Sequence, residues 1–166
     1  MPNDVLRGID AVLVLGVEDT STAEGGAADA LVSQYDLSNV VGRLTSVSIN
    51  LTSDVRPVYE IGRRYPTPLR PGVVRVSGSA ERAHVNGALL RLLLGEGAVS
   101  PPSGPSFVQP SFNLISTLKD QANPSQSTKV TVFGVKFDSW NYAIPSDAFV
   151  MEAITFQAMR VAYEEE

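Results

Sequence analysis

Residues 41–52 read VGRLTSVSINLT, an alternation of polar and apolar side chains that indicates a β-strand. Val47, Ile49 and Leu51 share one face of this strand and polar side chains share the other, because successive side chains point to opposite faces. Residues 73–82, VVRVSGSAER, repeat the pattern. The sequence therefore predicts two half-buried strands of similar length.

The residues between these strands, 53–72, form a long connection rich in Pro and Arg. Its four prolines exclude a central strand, because Pro lacks the amide donor of the ladder. Disordered segments are poor in aromatic and apolar residues, whereas this segment carries several. That favours an ordered protruding hairpin that docks on a partner over a flexible surface loop. Its candidate interface residues are Arg56, Tyr59, Ile61, Arg63, Arg64, Tyr65, Leu69 and Arg70.

Residues 86–95, NGALLRLLLG, predict a short helix that Asn86 caps at its start and Gly95 ends. Leucines surround most of its circumference, so we expect it to be covered on more than one side. Residues 18–38 are small, polar and acidic. We interpret them as an arm or loop with at most one helical turn within residues 27–35.

Four further strands are predicted at residues 9–16, 107–119, 129–140 and 149–163. The apolar face changes parity between residues 132 and 133, which indicates a β-bulge there or burial on both faces. The chain is predicted to be a single domain over residues 1–166, with an acidic strand and arm at 1–40. Its fold class is mainly β: an antiparallel sandwich or barrel with one short flanking α-helix and a long protruding hairpin loop.

Composition excludes several classes of function. The 166 residues include no Cys and one His, and 18 acidic against 13 basic side chains give a net charge of −5. This excludes disulfide scaffolds, thiol nucleophiles and sites that need several imidazoles, and it argues against a conventional nucleic-acid binder. We expect no catalytic residue, no metal and no cofactor, and we interpret His84 as structural.

We expect neither a membrane-spanning segment nor an export signal in this sequence. The longest apolar run, residues 11–17, is too short to cross a bilayer, so we expect no membrane partner. Asp4 and Asp10 stand where a signal peptide would need a basic segment and an uninterrupted apolar one.

The charges are distributed unevenly along the chain. Residues 1–40 carry a net charge of −6, residues 41–100 carry +4, and residues 101–166 carry −3. Ten of the 13 bases are Arg, the basic residue that interfaces favour. Two interpretations stay open: complementary surfaces between copies of one chain, or solvated faces of a monomer.

The order of strand, Pro/Arg hairpin, strand, Leu-rich helix and further strands resembles the phage tail tube proteins. The stretches that carry the resemblance are LRGIDAVLVLG (6–16), GRLTSVSINLTSD (42–54), residues 71–95 and AFVMEAITFQAMRVAY (148–163). The resemblance implies protomers that form hexameric rings, stacked head to tail into a hollow tube for genome delivery. It places the protein in a virion tail assembled in the host bacterial cytoplasm.

The resemblance also implies partners and interface residues. The hairpin would enter the adjacent ring, and the helix and last strand would be partly buried between protomers. Besides copies of itself, the expected partners are sheath, tape measure, baseplate and terminator proteins. DNA would pass through a net negative lumen without specific binding. The further interface candidates are Leu92, Leu93, Val150, Ile154 and Phe156.

Two alternative functions stay open. One is the inner tube of a phage-derived contractile injection or secretion system, whose tubes share this architecture. The other is a monomeric β-sandwich binding module that uses Trp140 and Tyr142 as an exposed platform. An enzyme is the least favoured class, because no catalytic motif is present.

Overall fold

The computed structural model describes residues 6–38, 44–100, 108–119 and 125–165, apart from the side chain of residue 96. Its strands are β1 (Ala11–Gly16), β2 (Leu44–Ser53), β3 (Arg56–Pro57), β4 (Leu69–Arg70), β5 (Val74–Ala83), β6 (Phe112–Lys119), β7 (Ser127–Ala143), β8 (Met151–Ala158) and β9 (Arg160–Glu165). Its α-helices are α1 (Ala23–Gln34) and α2 (Ala88–Leu94). Residues 41–43 and 107, which begin two predicted strands, lie outside the described residues, as do residues 1–5, 39 and 40 of the acidic segment.

Seven of these strands form one curled antiparallel sheet, which confirms the predicted fold class. The strand order is β1-β6-β7-β8-β5-β2, and β9 also pairs with β7. Strand β7 is 17 residues long and joins the two halves of the sheet. Its first half pairs with β6 and β9, and its second half pairs with β8.

The predicted bulge in β7 is present. Phe112 pairs with Val135 and Leu114 pairs with Val132, so β7 carries one extra residue at this point. Gly134 lies inside the bulge with φ of 65°, a left-handed conformation that a residue with a side chain adopts only at a cost. The change of apolar parity in the sequence therefore marks the point where β7 bends.

The last predicted strand is wrong in one respect: residues 149–163 form two strands, not one. The strand is interrupted at Met159, directly beside the bulge. The Met159 amide donates there to the Phe133 carbonyl at 2.9 Å. Strand β8 pairs with β7 before this interruption, and β9 pairs with β7 after it. The extra residue in β7 disrupts the ladder locally, so its partner strand cannot stay continuous.

The predicted helix is present as α2, and it is shorter than predicted, covering residues 88–94. The N-cap residue is Gly87 and not Asn86 as predicted, but the Asn86 side-chain oxygen still accepts from the Ala88 amide at 3.2 Å. Leu89 and Leu92 are buried, and α2 packs against β7 on one side and α1 on another. The expected cover on more than one side is therefore present.

Helix α1 corrects the interpretation of residues 18–38 as an arm. It has twelve residues, and the Thr22 hydroxyl caps it by accepting from the Gly25 amide at 3.0 Å. Ala28 and Val32 bury its inner face against the core. Its sequence, AEGGAADALVSQ, contains too few large apolar side chains to show a helical period. Within the described residues, no helix has the length and apolar character to span a membrane.

Candidate assembly surfaces

Strands β2 and β5 extend beyond the sheet as an ordered hairpin. Past their last pair, Ser53 with Val74, the chain continues into the short ribbon of β3 and β4. The Val58 amide donates to the Pro68 carbonyl at 3.1 Å, and the Thr67 amide donates to the Val58 carbonyl at 3.0 Å. We refer to residues 54–73 as the hairpin. The predicted ordered protrusion is therefore present in the protomer.

The hairpin exposes large apolar and aromatic side chains. Ile61 at its tip is fully exposed, Tyr65 is 77% exposed, and Tyr59 and Leu69 are each 65% exposed. Val55, Val58 and Val73 add further exposed apolar surface. Exposed apolar side chains in this number on one protruding segment indicate a site of interaction.

The hairpin arginines divide into two kinds. The Arg56 Nη2 lies 2.9 Å from the Asp54 carboxylate, and the Arg63 Nε lies 3.4 Å from the Glu60 carboxylate. Arg64 has no ion-pair partner among the described residues, and the same is true of Arg70 within that part of the chain. The two unpaired guanidinium groups can pair with carboxylates of another molecule.

The other predicted interface residues lie elsewhere, and three of them need correction. Leu92, Ile154 and Phe156 are each at most 4% exposed, and they belong to the protomer's own core. Their apolar character serves the interior of one chain, so they are not available on its surface. Leu93 and Val150 are partly buried.

A buried ionic cluster joins β5 to β8, and no pattern in the sequence indicates it. The Arg82 Nε donates to the Glu152 carboxylate at 2.8 Å, and the two side chains are 2% and 0% exposed. The other Glu152 oxygen lies 2.7 Å from the His84 Nδ1. Arg82 also donates to the Asn86 backbone and side-chain oxygens at 2.9 and 3.1 Å. The cluster therefore fixes the turn that leads from β5 into α2.

The aromatic residues proposed as a binding platform stack on each other. The rings of Trp140 and Tyr142 lie 5.3 Å apart and nearly parallel, and His84 contacts Tyr142 edge-on at 5.0 Å. Trp140 is partly buried and Tyr142 is 38% exposed. Stacking occupies one face of each ring, and Trp140 is partly buried, so the pair is not the exposed two-ring platform that the sequence predicts.

Small polar side chains cover one face of β2, β5 and β8. We call this the polar face, and it forms a shallow open groove of about 650 Å³. Arg75 and Asp138 carry the charges of the groove, and the Gln157 amide donates to Asp138 at 3.1 Å. Glu81 extends the same face of β5 beyond the groove and is exposed. The uncharged members are Ser48, Asn50, Thr52, Ser77, Ser79, Thr155 and Gln157.

Part of the acidic N-terminal charge is neutralised within the protomer. The Lys136 Nζ lies 2.9 Å from Glu24, and the Arg160 guanidinium lies 3.9 Å from Glu18. These pairs hold α1 and the segment before it against the sheet. The acidic segment is therefore not wholly available for pairing with the Arg-rich centre of another copy.

Two exposed groups near these contacts have shifted pKa values. The Ser21 hydroxyl and amide both donate to the Asp19 carboxylate, which lowers the pKa of Asp19. The hydrogen bond from the Tyr163 hydroxyl to Glu165 raises the pKa of Tyr163. Neither group lies on the hairpin or the polar face.

Among the described residues, no cluster of three or more acidic or imidazole side chains is arranged to hold a metal ion.

Comparisons with known proteins point to one architecture. No protein-family model matches the chain, and no curated protein matches it. Solved structures do match over nearly its whole length. The tail tube of SPP1 aligns with a TM-score of 0.58 at 13% identity, covering 98% of this chain and 80% of that one.

Two further structures extend the likeness beyond SPP1. A chain of the PVC extracellular contractile injection system, from its extended sheath–tube complex, aligns with a TM-score of 0.65 at 10% identity, covering 99% and 95% of the two chains. A chain of an empty gene transfer agent tail aligns with a TM-score of 0.55 at 12% identity, covering 98% and 99%. The chain therefore has the tail tube fold, and the resemblance predicted from sequence is confirmed for the fold.

Proposed function

We propose that this protein is the structural subunit of a tail tube, and that it assembles into hexameric rings stacked into a hollow tube for genome delivery. The observation that carries the proposal is the ordered hairpin on a tail tube fold. It exposes Tyr59, Ile61, Tyr65 and Leu69 to solvent in the protomer. Burying such side chains against another copy is favourable by about 25 cal/mol per Å² of apolar area.

Stacking of identical rings requires two different surfaces on each protomer. The hairpin is at one end of the β2–β5 pair, so it can meet a surface at the opposite end of a copy in the next ring. A head-to-tail contact of this type repeats without limit and builds a filament or tube. Arg64 and Arg70 would contribute orientation and register to this contact more than affinity.

The polar face is the surface that we assign to the channel wall. DNA affinity comes chiefly from Lys and Arg side chains that neutralise phosphates. Arg75 is the one base among the residues that line this face, and Asp138 offsets its charge. Glu81, the next residue of β5 on this face after Ser79, is exposed and adds a second carboxylate. The wall would then be net negative, as the resemblance implies, and would let DNA pass without specific binding.

The proposed setting is the tail of a virion assembled in the host cytoplasm. The similar solved structures include a sheath–tube complex and a tube-terminating cap. By analogy, sheath, tape measure, baseplate and terminator proteins are the proposed partners of this chain. We assign it no catalytic role.

The inner tube of an injection system is the second candidate. The chain aligns with TM-scores of 0.65 and 0.64 to chains of two such particles, against 0.58 for the SPP1 tube. Both candidates share the ring and the tube and differ in what passes through the lumen. Trp140 is partly buried, so the stacked Trp140–Tyr142 pair does not favour the binding-module alternative.

The proposal is tested by the assembly state of the purified chain. Sedimentation velocity over a range of concentrations should show large species that pellet, and negative-stain images of the pellet should show tubes. A stable monomer at every concentration would overturn the tube proposal and favour a binding module.

A further inference from the structure

A second exposed apolar surface lies at the end of the sheet opposite the hairpin. We call it the distal surface, and it consists of Val85, Tyr142, Ile144 and Phe149. Phe149 is 85% exposed, Ile144 is 70% exposed and Val85 is 51% exposed. Three large side chains so exposed, next to a partly exposed tyrosine, leave an apolar patch open to water.

The strand register fixes where this surface lies. Met151 pairs with Ala83 of β5 and with Ala143 of β7, so the segments that follow or precede these residues emerge at the same end of the sheet. The His84 amide donates to the Val150 carbonyl at 2.8 Å and joins those segments. The hairpin leaves from Val74, nine residues before Ala83 on β5, which is about 30 Å away at the rise of a strand.

The buried ionic cluster supports the distal surface through a series of side-chain contacts. Glu152 holds His84, His84 contacts the edge of the Tyr142 ring, and Tyr142 stacks on Trp140. Arg82 in turn holds Glu152 from inside the protomer. A surface supported in this way loses little conformational freedom when a partner binds.

Charge complements the apolar match. The loop between β7 and β8, residues 144–150, contains one carboxylate, Asp147, and no basic side chain. The hairpin carries four arginines against two carboxylates, and Arg64 and Arg70 lack ion-pair partners among the described residues. Opposite charges at the two ends of one protomer favour contact between copies in a head-to-tail sense.

We infer that the distal surface is the seat for the hairpin of a second copy of this chain in the adjacent ring. The inference rests on the proposed tube function and adds the identity of the receiving surface. The Ile61 side chain at the hairpin tip and its aromatic neighbours would lie on Phe149 and Ile144. Asp147 would pair with an arginine of the incoming hairpin.

The absence of Cys from the chain permits a direct test. Ile61→Cys and Phe149→Cys proteins are made separately, mixed under assembly conditions and treated with a short bismaleimide. Docking would raise the effective concentration of the two thiols from micromolar towards millimolar, so the cross-linked dimer should exceed the control by about tenfold or more. The control pairs Ile61→Cys with Met159→Cys, which is 82% exposed and lies beside the β7 bulge, away from the distal surface.

A second cysteine position on the distal surface controls for the case in which replacing Phe149 itself abolishes docking. Ile144→Cys replaces a smaller side chain and should give the same preference over Met159→Cys. If wild-type protein forms tubes but neither distal position cross-links above the control, the inference is overturned and the tube function stands. If wild-type protein forms no tubes, the proposed function fails, whatever the cross-linking shows.

Discussion

Glu152 is the residue through which several parts of the molecule are joined. Its carboxylate is fully buried and accepts from Arg82 on β5 and from His84 in the following turn. A buried charge is tolerated only when it is paired, because desolvation costs several kcal/mol for each ion. The stability of the sheet and the order of the distal surface therefore depend on the same side chain.

Replacing Glu152 by Gln should strongly destabilise the protomer. The amide keeps the shape of the side chain but leaves Arg82 buried without its counter-charge, which costs about 3–5 kcal/mol. Urea unfolding of the two proteins measures the difference. Asp54→Asn, which breaks the exposed pair with Arg56, is the matched control and should cost at most about 1 kcal/mol. Equal effects of the two substitutions would contradict the account of the cluster.

Gly78 supplies a second test at the same scale. It lies on β5 between β2 and β8, where an added Cβ would overlap the Phe156 ring and the Ser48 carbonyl. Gly78→Ala should therefore destabilise the protein by about 1–3 kcal/mol through overpacking.

Gly8 is the control for this prediction, because nothing lies within 4 Å of a Cβ placed there. Gly8→Ala should change the free energy of unfolding by no more than about 0.5 kcal/mol. Thermal or urea unfolding of both variants distinguishes them. A Gly78→Ala protein as stable as wild type would show that β2 and β8 can move apart at this point.

Some residue roles could be predicted from sequence and others could not. The Tyr59, Ile61 and Tyr65 side chains stand in a Pro-rich segment that cannot join the sheet, so their exposure follows from local chemistry. Glu152 and Arg82 are 70 residues apart, and only the pairing of β5 with β8 brings them together. Periodicity marks Ile154 and Phe156 as apolar but does not say whether one protomer or two will bury them.

Among the elements, the hairpin is the one on which the proposed assembly depends most directly. Its removal should leave the fold intact, because β3 and β4 pair with each other and lie apart from the main sheet. A variant in which Asn-Gly replaces residues 57–70 should therefore remain a folded protomer and form no tubes. Circular dichroism and unfolding check the fold, and electron microscopy checks assembly. Intact tubes from the folded variant would refute the docking role.

The elements also show where sequence patterns stop being informative. The parity change in β7 predicts the bulge because apolar side chains must stay on the buried face. The break at Met159 is a consequence of that bulge in a partner strand, so the sequence of residues 149–163 does not contain it. Helix α1 is missed because its buried residues are Gly25, Ala28 and Val32, and one large apolar side chain among them leaves no apolar period to detect.

At the scale of the whole molecule, the order of the elements was sufficient to predict the tail tube fold. The proposed ring, tube and channel depend on contacts between copies, which the fold of one protomer does not show. The uneven charge along the sequence illustrates this. Glu18 and Glu24 pair within the protomer, whereas Arg64 and Arg70 face outward on the hairpin.

The channel assignment predicts how assembled tubes treat DNA. Ser79 lies near the middle of the polar face, opposite Ser48 and Thr155. Ser79→Lys tubes should retain short duplex DNA and release it as salt rises, because each added phosphate contact releases counterions. Co-sedimentation measures retention. Wild-type and Ser79→Glu tubes should retain little DNA; equal retention by all three would place the polar face outside the lumen.

A cryo-electron microscopy reconstruction of the assembly formed by the purified 166-residue chain tests the tube proposal. We expect a tube of stacked six-fold rings in which the hairpin of each protomer is buried against a protomer of the next ring. The polar face should line the channel. A chain that remains monomeric at high concentration, or a tube whose hairpins are free in solvent, would contradict it.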